Sequence, residues 1–362
     1  MLKVHLIAAA RPNFMKVAPV YHALRRTDWC APLLVHTGQH YDANMSDAFF
    51  TDLGLPTPDH HLGVGSGTHA EQTAAVMVAY EKVLMADPPD WTIVVGDVNS
   101  TVACTLAAKK LCLRVAHLEA GLRSRDWTMP EEINRIVTDS IADVLWTPSE
   151  DADDNLRKEG VANDRITCVG NIMIDSYELL RPKIERERTR DRFGLAAQGY
   201  GVVTLHRPSN VDDPNVLGAL VSSLTAVART LPLVFALHPR TRKNLKTFGM
   251  TETLESAPGI HVTEPLSYIP FLSLVRDARL VITDSGGIQE ETTYLGIPCL
   301  TLRTTTERPI TVTHGTNRLV QADRLVDMVG QIAAGNWPRA RCPALWDGHT
   351  AERVAKDLRR RS

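Results

Sequence analysis

Short apolar runs alternate with amphipathic helical patterns along the whole chain. The run Trp91-Thr-Ile-Val-Val95, which ends at Gly96 and Asp97, is typical of a buried strand. Between such runs apolar residues recur at helical spacing, as in segments 71–85 and 102–111. Strands that alternate with helices in this way predict a doubly wound parallel sheet, which is an α/β fold.

The alternation occurs twice, with a charged segment between the two parts. Basic and acidic residues interleave over 181–192, as expected of a solvated connector, and a new apolar run begins at Gly201. A chain of 362 residues is also too long for one ordinary core. We therefore expect an N-terminal Rossmann-like domain over 1–171 and a C-terminal one over 172–349, facing each other across a cleft. A helix at about 350–362 is expected to pack back on the first domain.

The pattern also predicts the individual elements. Strands are expected at 4–9, 33–37, 91–95, 114–118, 142–147, 166–169, 201–205, 233–237, 280–282 and 299–302, with a short strand around 262. Helices are expected to include 18–26 and 44–53. Segments 54–68 and 303–317 look irregular.

Charged side chains follow several predicted strands of the first half. Arg11 and Lys16 come after the first strand, Asp97 after the 91–95 strand, and Glu119 after the 114–118 strand. Parallel α/β sheets place ligands at the carboxyl ends of their strands, so these side chains are candidates for a binding site. Simpler alternatives remain, because Asp97 suits a turn or a cap, and Glu131 suits the first turn of a helix after Pro130.

The stretch 278–298 predicts a strand, a tight turn and a helix. Asp284 and Ser285 suit an N-cap, and Gly286 and Gly287 let a backbone approach a ligand closely. Such a helix start is a phosphate site, so a diphosphate is expected here, with Glu291 one turn later able to bind ribose hydroxyls. An ordinary turn capped by Ser285 is the alternative.

Composition excludes several classes of function. The formal net charge is −2, with 40 basic and 42 acidic residues, which indicates neither a nucleic-acid nor a membrane partner. The six cysteines form no C-x-x-C pair and the apolar N-terminus is too short for a membrane span, so a cytoplasmic setting is expected. Thirteen histidines are scattered without an H-E-x-x-H motif, and no G-x-G-x-x-G follows the first strand. We expect neither a metal site nor a cofactor.

Taken together, these motifs resemble the non-hydrolysing UDP-N-acetylglucosamine 2-epimerases. The matching segments, in family order, are Arg11-Pro-Asn-x-x-Lys16, Thr37-Gly-Gln-His40, Gly96-Asp97, His117-Leu-Glu119-Ala-Gly-Leu-Arg123, Pro130-Glu131-Glu132-x-Asn134-Arg135, His206-Arg207-x-x-Asn210, Asp284-Ser-Gly-Gly-Ile-Gln-Glu-Glu291 and Thr306-Glu-Arg-Pro309. They cover essentially the whole chain, and eight segments in register are hard to obtain by chance.

The resemblance implies the two-domain GT-B architecture with UDP in the cleft, and a role for each matching residue. It assigns the diphosphate to Ser285, Gly286 and Gly287, the ribose to Glu291, and the uracil to Phe271. It places Arg11, Lys16 and His206 on the UDP-sugar near the diphosphate and the reacting sugar. The catalytic residues that it implies are Asp97, Glu119, Glu131, His206 and Arg11.

The implied activity is reversible conversion of UDP-N-acetylglucosamine to UDP-N-acetylmannosamine for surface polysaccharide precursors. The family's tendency to dimerise implies a homodimer. Tyr41-Asp42 stands where members activated by a second UDP-N-acetylglucosamine have Arg-Glu, and the loop 63–69 indicates a distinct subgroup. An epimerase for a modified UDP-2-acetamido sugar therefore stays open, as do a GT-B glycosyltransferase and a non-catalytic UDP-sugar sensor.

Overall fold

The chain folds into two compact units. The computed structural model describes residues 1–9, 11–38, 50–337 and 341–362, with Arg11 and Pro12 described by their backbone alone. Unit 1 comprises Met1–Leu180 and Ala344–Ser362, and unit 2 comprises Arg181–Pro343. The division falls within the helix Ile172–Arg186, whereas the sequence analysis began the second domain at residue 172. The start of the helix expected at 44–53 lies outside the described residues.

A parallel sheet forms the centre of unit 1. In the described residues it has seven strands in the order β3-β2-β1-β4-β5-β6-β7. The strands are β1 Leu2–Ala8, β2 Cys30–His36, β3 His60–His61, β4 Trp91–Val95, β5 Arg114–Leu118, β6 Val144–Thr147 and β7 Ile166–Cys168. Every residue of β4 and β6 is buried, as expected for strands covered by helices on both faces.

Helices cover this sheet and supply the loops at its carboxyl edge. They are α1 Arg11–Arg25, α2 His69–Ala86, α3 Asn99–Lys110, α4 Pro130–Ile141, α5 Glu150–Lys158 and α6 Ile172–Arg186, with a 3₁₀ turn at Asn163–Arg165. Helix α4 begins with proline at its first position, where the missing N–H costs nothing. Helix α1 starts earlier than the expected 18–26, so Lys16 lies on a helix rather than in a loop.

Unit 2 repeats the parallel architecture. Its described strands form a six-stranded sheet in the order β10-β9-β8-β11-β12-β13. They are β8 Gly201–Thr204, β9 Leu233–Ala236, β10 Ile260–Thr263, β11 Leu280–Thr283, β12 Cys299–Thr301 and β13 Asn317–Leu319. Strand β11 lies at the centre, paired in register with β8 on one side and β12 on the other. The turn that follows β11 is therefore flanked by the loops after β8 and β12.

Apolar clusters fill both faces of the unit 2 sheet. The covering helices are α7 Pro208–Val211, α8 Pro214–Ala228, α9 Pro239–Thr247, α10 Thr251–Glu255, α11 Tyr268–Asp277, α12 Gly286–Leu295, α13 Ile310–Thr313 and α14 Leu325–Ala333, with 3₁₀ turns at Thr189–Phe193 and Ala322–Arg324. Helix α12 ends at Gly296, whose φ of 72° is the left-handed conformation that glycine adopts at a helix C-terminus.

The C-terminal helix α15, Thr350–Arg361, belongs to unit 1. Asp357 on this helix accepts hydrogen bonds from Trp146 Nε1 at 2.9 Å and Thr167 Oγ1 at 3.3 Å. At its start, the backbone N–H groups of Thr350 and Ala351 donate to Asp175. These bonds attach the last helix to strands β6 and β7 and to helix α6.

The expected strands all occur, with ends that differ by a few residues, and two further strands were not expected. Strand β3 is only two residues long and lies in the segment interpreted as irregular, and β13 is three residues long beyond 302. Both are edge strands of the described sheets. Short edge strands form through pairing with a neighbour rather than through an apolar run of their own, so periodicity does not detect them.

Candidate active site

Lys16 and Glu119 form an ion pair at the carboxyl edge of the unit 1 sheet. Lys16 Nζ contacts Glu119 Oε2, and both side chains are largely buried. Gly96, at the end of β4, lies against this pair, because a Cβ on that glycine would be 3.3 Å from both atoms. The loops after β1, β4 and β5 thus meet at one point, as their strand positions predicted.

The backbone of Glu119 is strained. Its φ of 72° is in the left-handed region, which costs a residue with a side chain on the order of 1 kcal/mol. Hydrogen bonds hold the surrounding chain in place: Ala120 N donates to the Trp146 carbonyl at 3.1 Å, and Gly96 N donates to that of Leu118 at 3.0 Å. Backbone strain of this kind concentrates at functional sites. The strained backbone conformation distinguishes Glu119, and no pattern in the sequence indicated it.

Asp97 is fastened to helix α4. Its carboxylate pairs with Arg135, and its carbonyl accepts a hydrogen bond from Asn134 Nδ2 at 2.9 Å. Arg135 also donates to Glu132 at 2.7 and 3.0 Å, and Glu132 accepts the backbone N–H groups of Ser124 and Arg125 as well. Burial opposes ionisation of Glu132, but these donors hold its pKa below the usual range.

Glu131 differs from its buried neighbour Glu132. Glu131 is half-buried in the first turn of α4, whereas only 1% of Glu132 is exposed. Arg135 lies one turn after Glu131 on the same helix and forms an ion pair with Asp97. The start of α4 therefore lies close to the ends of β4 and β5. Glu132 ties the loop before α4 in place.

His117 and Asp139 contact each other beside Gly96, next to the carboxylate of Glu119. His117 is fully buried, with Nδ1 2.6 Å from Asp139 Oδ1 and Nε2 2.8 Å from the Gly96 carbonyl oxygen. Burial opposes ionisation of Asp139, but His117 and Arg123 keep the pKa of its carboxyl lowered. The two ring nitrogens thus contact a carboxylate oxygen on one side and a backbone carbonyl oxygen on the other. His117 thereby fixes the backbone that follows Gly96.

In unit 2, Asp284 organises the loop that carries His206. Asp284 is fully buried and accepts the backbone N–H groups of His206 and Arg207 at 3.0 and 2.9 Å, and Asn210 Nδ2 at 3.1 Å. Its Oδ1 is 2.9 Å from His206 Nδ1. Burial opposes its ionisation, but His206 and these donors lower its pKa. Asp284 was expected as an N-cap, and the structure corrects that role to a tie between β11 and the loop after β8.

The turn after β11 leads directly into helix α12. Ser285 occupies the N-cap position, but its side chain makes no capping hydrogen bond, which corrects the expectation that it caps the helix. The first N–H groups of a helix have no acceptor within the helix, and they lie at the positive end of its dipole. Around Gly287 there is open space, with nothing within 4 Å of a Cβ placed there.

A buried ion-pair network lies against Gly286. A Cβ on Gly286 would be 2.6 Å from Arg308 Nη1 and from Glu307 Oε1, so any larger residue would displace this ion pair. Arg308 also bonds Glu290 at 2.8 Å, and Arg303 bonds Glu307 at 2.8 Å. Burial opposes ionisation of Glu307, but Arg308 and Arg303 hold its pKa well below the usual range. The space beside Gly286 is thus filled by a buried ion pair, whereas the space beside Gly287 is open.

Glu291 is a buried carboxyl of the unit 2 site with a raised pKa. Its Oε1 accepts a hydrogen bond from Tyr268 Oη at 2.7 Å, and only 4% of the residue is exposed. Burial raises the pKa of Glu291 to about 8, and the charge of Glu290 adds to this, although the Tyr268 bond opposes it. Phe271 lies on the same helix as Tyr268, half-buried against the apolar cluster that includes Val202.

Comparison with known proteins identifies the family. A family model described as UDP-N-acetylglucosamine 2-epimerase matches residues 22–359.

The chain belongs to the UDP-N-acetylglucosamine 2-epimerase family.

Individual relatives of this epimerase family match over almost the full length. The UDP-N-acetylglucosamine 2-epimerase of Methanocaldococcus jannaschii is 43% identical, with 99% of each chain covered. The UDP-2,3-diacetamido-2,3-dideoxy-D-glucuronate 2-epimerase of Pseudomonas aeruginosa is 41% identical, with 92% of this chain and 91% of that one covered. A crystal structure of the M. jannaschii protein in complex with UDP-GlcNAc and UDP matches with a TM-score of 0.89 at 39% identity, over 99% of this chain and 100% of that one. The expected family and the GT-B fold class are confirmed.

The structure gathers the predicted site residues of this epimerase into one group in each unit. Unit 1 brings together Lys16, Asp97, Glu119 and the helix start with Glu131, and unit 2 brings together His206, Ser285, Gly286, Gly287 and Glu291, with Phe271 on the neighbouring helix α11. The side chain of Arg11 lies outside the described residues. Their roles toward a substrate stay predictions.

Sequence reasoning missed the residues that hold these groups in place. His117 and Arg135 were noted only as parts of a strand or a motif, and Asp139 was not noted at all. Their signal was present, because charged or polar residues in otherwise buried elements need partners. The partners themselves are distant in sequence, so only the fold identifies them.

Searched along the described residues, the helices include none with the length and apolar character that a bilayer span requires.

Proposed function

We propose that this chain catalyses the reversible epimerisation of UDP-N-acetylglucosamine to UDP-N-acetylmannosamine, by elimination and re-addition of UDP. The observation that carries the proposal is the group formed by Lys16, Asp97 and Glu119 beside the start of helix α4, in a chain of this family. Inversion of C2 without a hydride cofactor needs proton transfer on both faces of the sugar. A group of carboxylates supplies the acids and bases for that chemistry.

In the first half-reaction a carboxylate of unit 1 removes the proton on C2. The C1–O bond breaks, its electron pair leaves with the β-phosphate oxygen of UDP, and a C1–C2 double bond forms in the sugar. In the second half-reaction that oxygen attacks C1 again, and an acid delivers a proton to the opposite face of C2. Asp97, Glu119 and Glu131 are the proposed proton-transfer groups, and Lys16 stabilises the charge of Glu119.

Unit 2 is proposed to hold the UDP. The N–H groups at the start of α12 bind the diphosphate, with Ser285 and Gly287 beside it, and Glu291 accepts ribose hydroxyls. Phe271 contacts the uracil. His206, which Asp284 orients, stabilises the diphosphate as it leaves, together with Arg11. This placement accounts for the open space at Gly287.

The deciding experiment is incubation with UDP-N-acetylglucosamine in heavy water, followed by product identification. We expect UDP-N-acetylmannosamine that carries deuterium at C2, with little free UDP or free sugar at equilibrium. A glycosyltransferase would show no C2 exchange, and a sensor would form no product. Epimerised product that retains protium at C2 would overturn the elimination route.

A second candidate substrate is a UDP-2,3-diacetamido-2,3-dideoxy sugar acid. The observation that favours it is the 41% identity to the P. aeruginosa protein named for that substrate. The same assay with UDP-2,3-diacetamido-2,3-dideoxy-D-glucuronate separates the two, because the preferred substrate has the higher kcat/KM. A preference for the sugar acid would leave the proposed chemistry intact and change the substrate.

We further infer a homodimer in a cytoplasmic setting. The dimer rests on the family's tendency, and the setting rests on the six cysteines, which are far apart in the sequence and are all free thiols in the structure. Light scattering coupled to size-exclusion chromatography tests the first, and fractionation of cells tests the second.

A further inference from the structure

Two histidines and one aspartate meet near the start of β4, away from the carboxyl edge of the sheet. They are His5 on β1, His60 on β3 and Asp87, which follows helix α2. His60 Nε2 is 3.1 Å and His5 Nε2 is 3.8 Å from Asp87 Oδ2, and the three potential ligand atoms lie within 4.8 Å of one another. A tetrahedral ion with bonds of about 2.0 Å separates its ligand atoms by about 3.3 Å, so small side-chain movements would complete such a set.

The buried nitrogen of His5 points into this group without satisfying a hydrogen bond. His5 is fully buried, and among the described residues its Nε2 has no hydrogen-bond partner. Buried polar atoms are nearly always bonded, so this nitrogen needs an explanation. An N–H on Nε2 would have only Asp87 Oδ2 as an acceptor, at 3.8 Å and beyond hydrogen-bond distance, whereas an unprotonated Nε2 presents a lone pair to the group. We therefore assign the proton of the neutral ring to Nδ1.

The other side of the ring fits that assignment. His5 Nδ1 is 3.2 Å from Tyr80 Oη, which is 2.9 Å from Thr92 Oγ1, and all three residues are buried. A proton on Nδ1 then donates to Tyr80, and Tyr80 donates to Thr92. A hydrogen bond from the second ring nitrogen is how proteins orient a metal-ligating histidine and fix its tautomer.

Access and charge define the ion that this group would accept. His60 and Asp87 are partly exposed, with 26% and 30% of their side chains accessible, so an ion and a water ligand can enter from solvent. Two imidazoles and one carboxylate form a nitrogen- and oxygen-donor set that suits zinc. Lys3 also pairs with Asp87, through its other oxygen, and this cation opposes metal binding. The side chain of Lys3 is 38% exposed and can turn away.

We propose that His5, His60 and Asp87 form a zinc site that joins β1, β3 and the end of helix α2. No metal site was expected from the sequence, because the histidines are scattered and no H-E-x-x-H motif occurs. Asp87 precedes β4, and the candidate catalytic Asp97 follows it, so the zinc lies at the opposite end of that strand from the carboxylates. Its role is to stabilise the edge of unit 1 rather than to take part in the epimerase reaction.

Zinc titration of the full chain tests this proposal. After chelator treatment and dialysis, Zn²⁺ is added in competition with a chromophoric chelator, and the thermal transition is followed in parallel. We expect one Zn²⁺ per chain and a higher transition temperature with zinc, because a ligand that binds only the folded state stabilises it. His60→Gln should weaken the affinity by about tenfold or more and remove the thermal shift.

Matched variants make the outcome specific. His61→Gln alters the neighbouring exposed histidine and should leave stoichiometry and affinity unchanged. Lys3→Met removes the competing cation and should raise the affinity. Absence of stoichiometric zinc in the parent protein would show that the group is a hydrogen-bond network only. Equal affinity in His60→Gln, or weaker binding in Lys3→Met, would also overturn the proposal.

Discussion

The carboxylates that follow the central strands of the two units lie in different surroundings. In unit 1, Glu119 meets Lys16 and Asp97 meets Arg135 through side-chain ion pairs. In unit 2, Asp284 follows the central strand β11 in the same way, but it accepts backbone N–H groups from His206 and Arg207 and is fully buried. Equivalent strand-end positions therefore carry acids with opposite uses.

The difference shows how the same fold builds two kinds of surface. At Asp284 the strand-end carboxylate accepts hydrogen bonds from backbone N–H groups. The groups of unit 2 that remain for a ligand are the N–H groups at the helix start and the open space beside Gly287. Where the acids face basic side chains, as at Glu119 and Asp97, they are the groups that the proposed mechanism uses for proton transfer. The proposed division therefore gives anion binding to unit 2 and acid–base chemistry to unit 1. The following predictions test that division.

The largest effect is expected at the unit 1 carboxylates. Glu131→Gln should lower kcat by about a hundredfold or more while UDP binding persists, because a proton-transfer group is lost and most of the proposed UDP contacts are in unit 2. Asp97→Asn and Glu119→Gln should lower kcat similarly. The assays are steady-state turnover and calorimetric UDP binding. A Glu131→Gln enzyme with normal turnover would remove this residue from the mechanism.

Glu132→Gln is the matched control for that variant. It leaves Arg135 short of a buried partner and weakens the bonds to the Ser124 and Arg125 backbone, so we expect a loss of about 3–5 kcal/mol in the free energy of unfolding. Urea denaturation measures it. If Glu131→Gln destabilises the protein as much as Glu132→Gln, the two glutamates do not differ as proposed.

A smaller effect is expected from the pH dependence of Glu291 in unit 2. Its folded pKa of about 8 lies above the value of about 4.3 in an unfolded chain, so the folded state retains a proton that the unfolded state releases. Stability from this group is therefore greatest below about pH 4, falls as pH rises to about 8, and is constant above that. Glu291→Gln should be more stable than the parent at pH 8 by a few kcal/mol, and this advantage should shrink toward pH 5. Urea denaturation across this range checks it, and a constant difference between the two proteins would contradict it.

Alanine substitutions at Gly286 and Gly287 should separate an effect on packing from an effect on UDP binding. Gly287→Ala meets open space in a helix, so we expect unchanged stability or a gain of about 0.5–1 kcal/mol. UDP should nevertheless bind about tenfold more weakly, because the new methyl group occupies the proposed diphosphate position. Gly286→Ala instead displaces Arg308 and Glu307, and should cost about 1–3 kcal/mol of stability. Undiminished UDP affinity in Gly287→Ala would place the diphosphate elsewhere.

The smallest effect is expected from chelation. Because cationic side chains and the α12 N-terminus are proposed to stabilise the diphosphate, EDTA should leave turnover within about twofold, and no added NAD should be needed. The zinc site at His5 and His60 should release its ion, with a lower transition temperature and little change in kcat. Turnover lost on chelation and restored by magnesium would contradict the assignment of that role to unit 2.

Much of the architecture followed from the sequence alone. Apolar runs identified the expected strands because parallel strands are buried on both faces and tolerate few polar residues. The carboxyl-edge rule then placed Lys16, Asp97 and Glu119 together before any contact was known, and the structure joins Lys16 to Glu119 and sets Gly96 against them. The motif order identified the family, which the comparisons confirm.

Tertiary structure alone decided what each polar residue does. Local pattern gave Asp284 the role of a helix cap, but its partners are His206, Arg207 and Asn210, more than seventy residues away. The pKa of Glu291, the left-handed backbone of Glu119, and the meeting of His5 with His60 and Asp87 likewise depend on contacts between distant segments. Periodicity reports which side of an element is buried, because burial follows from local alternation of apolar residues. It does not report which charge lies opposite, because that depends on how separate elements pack.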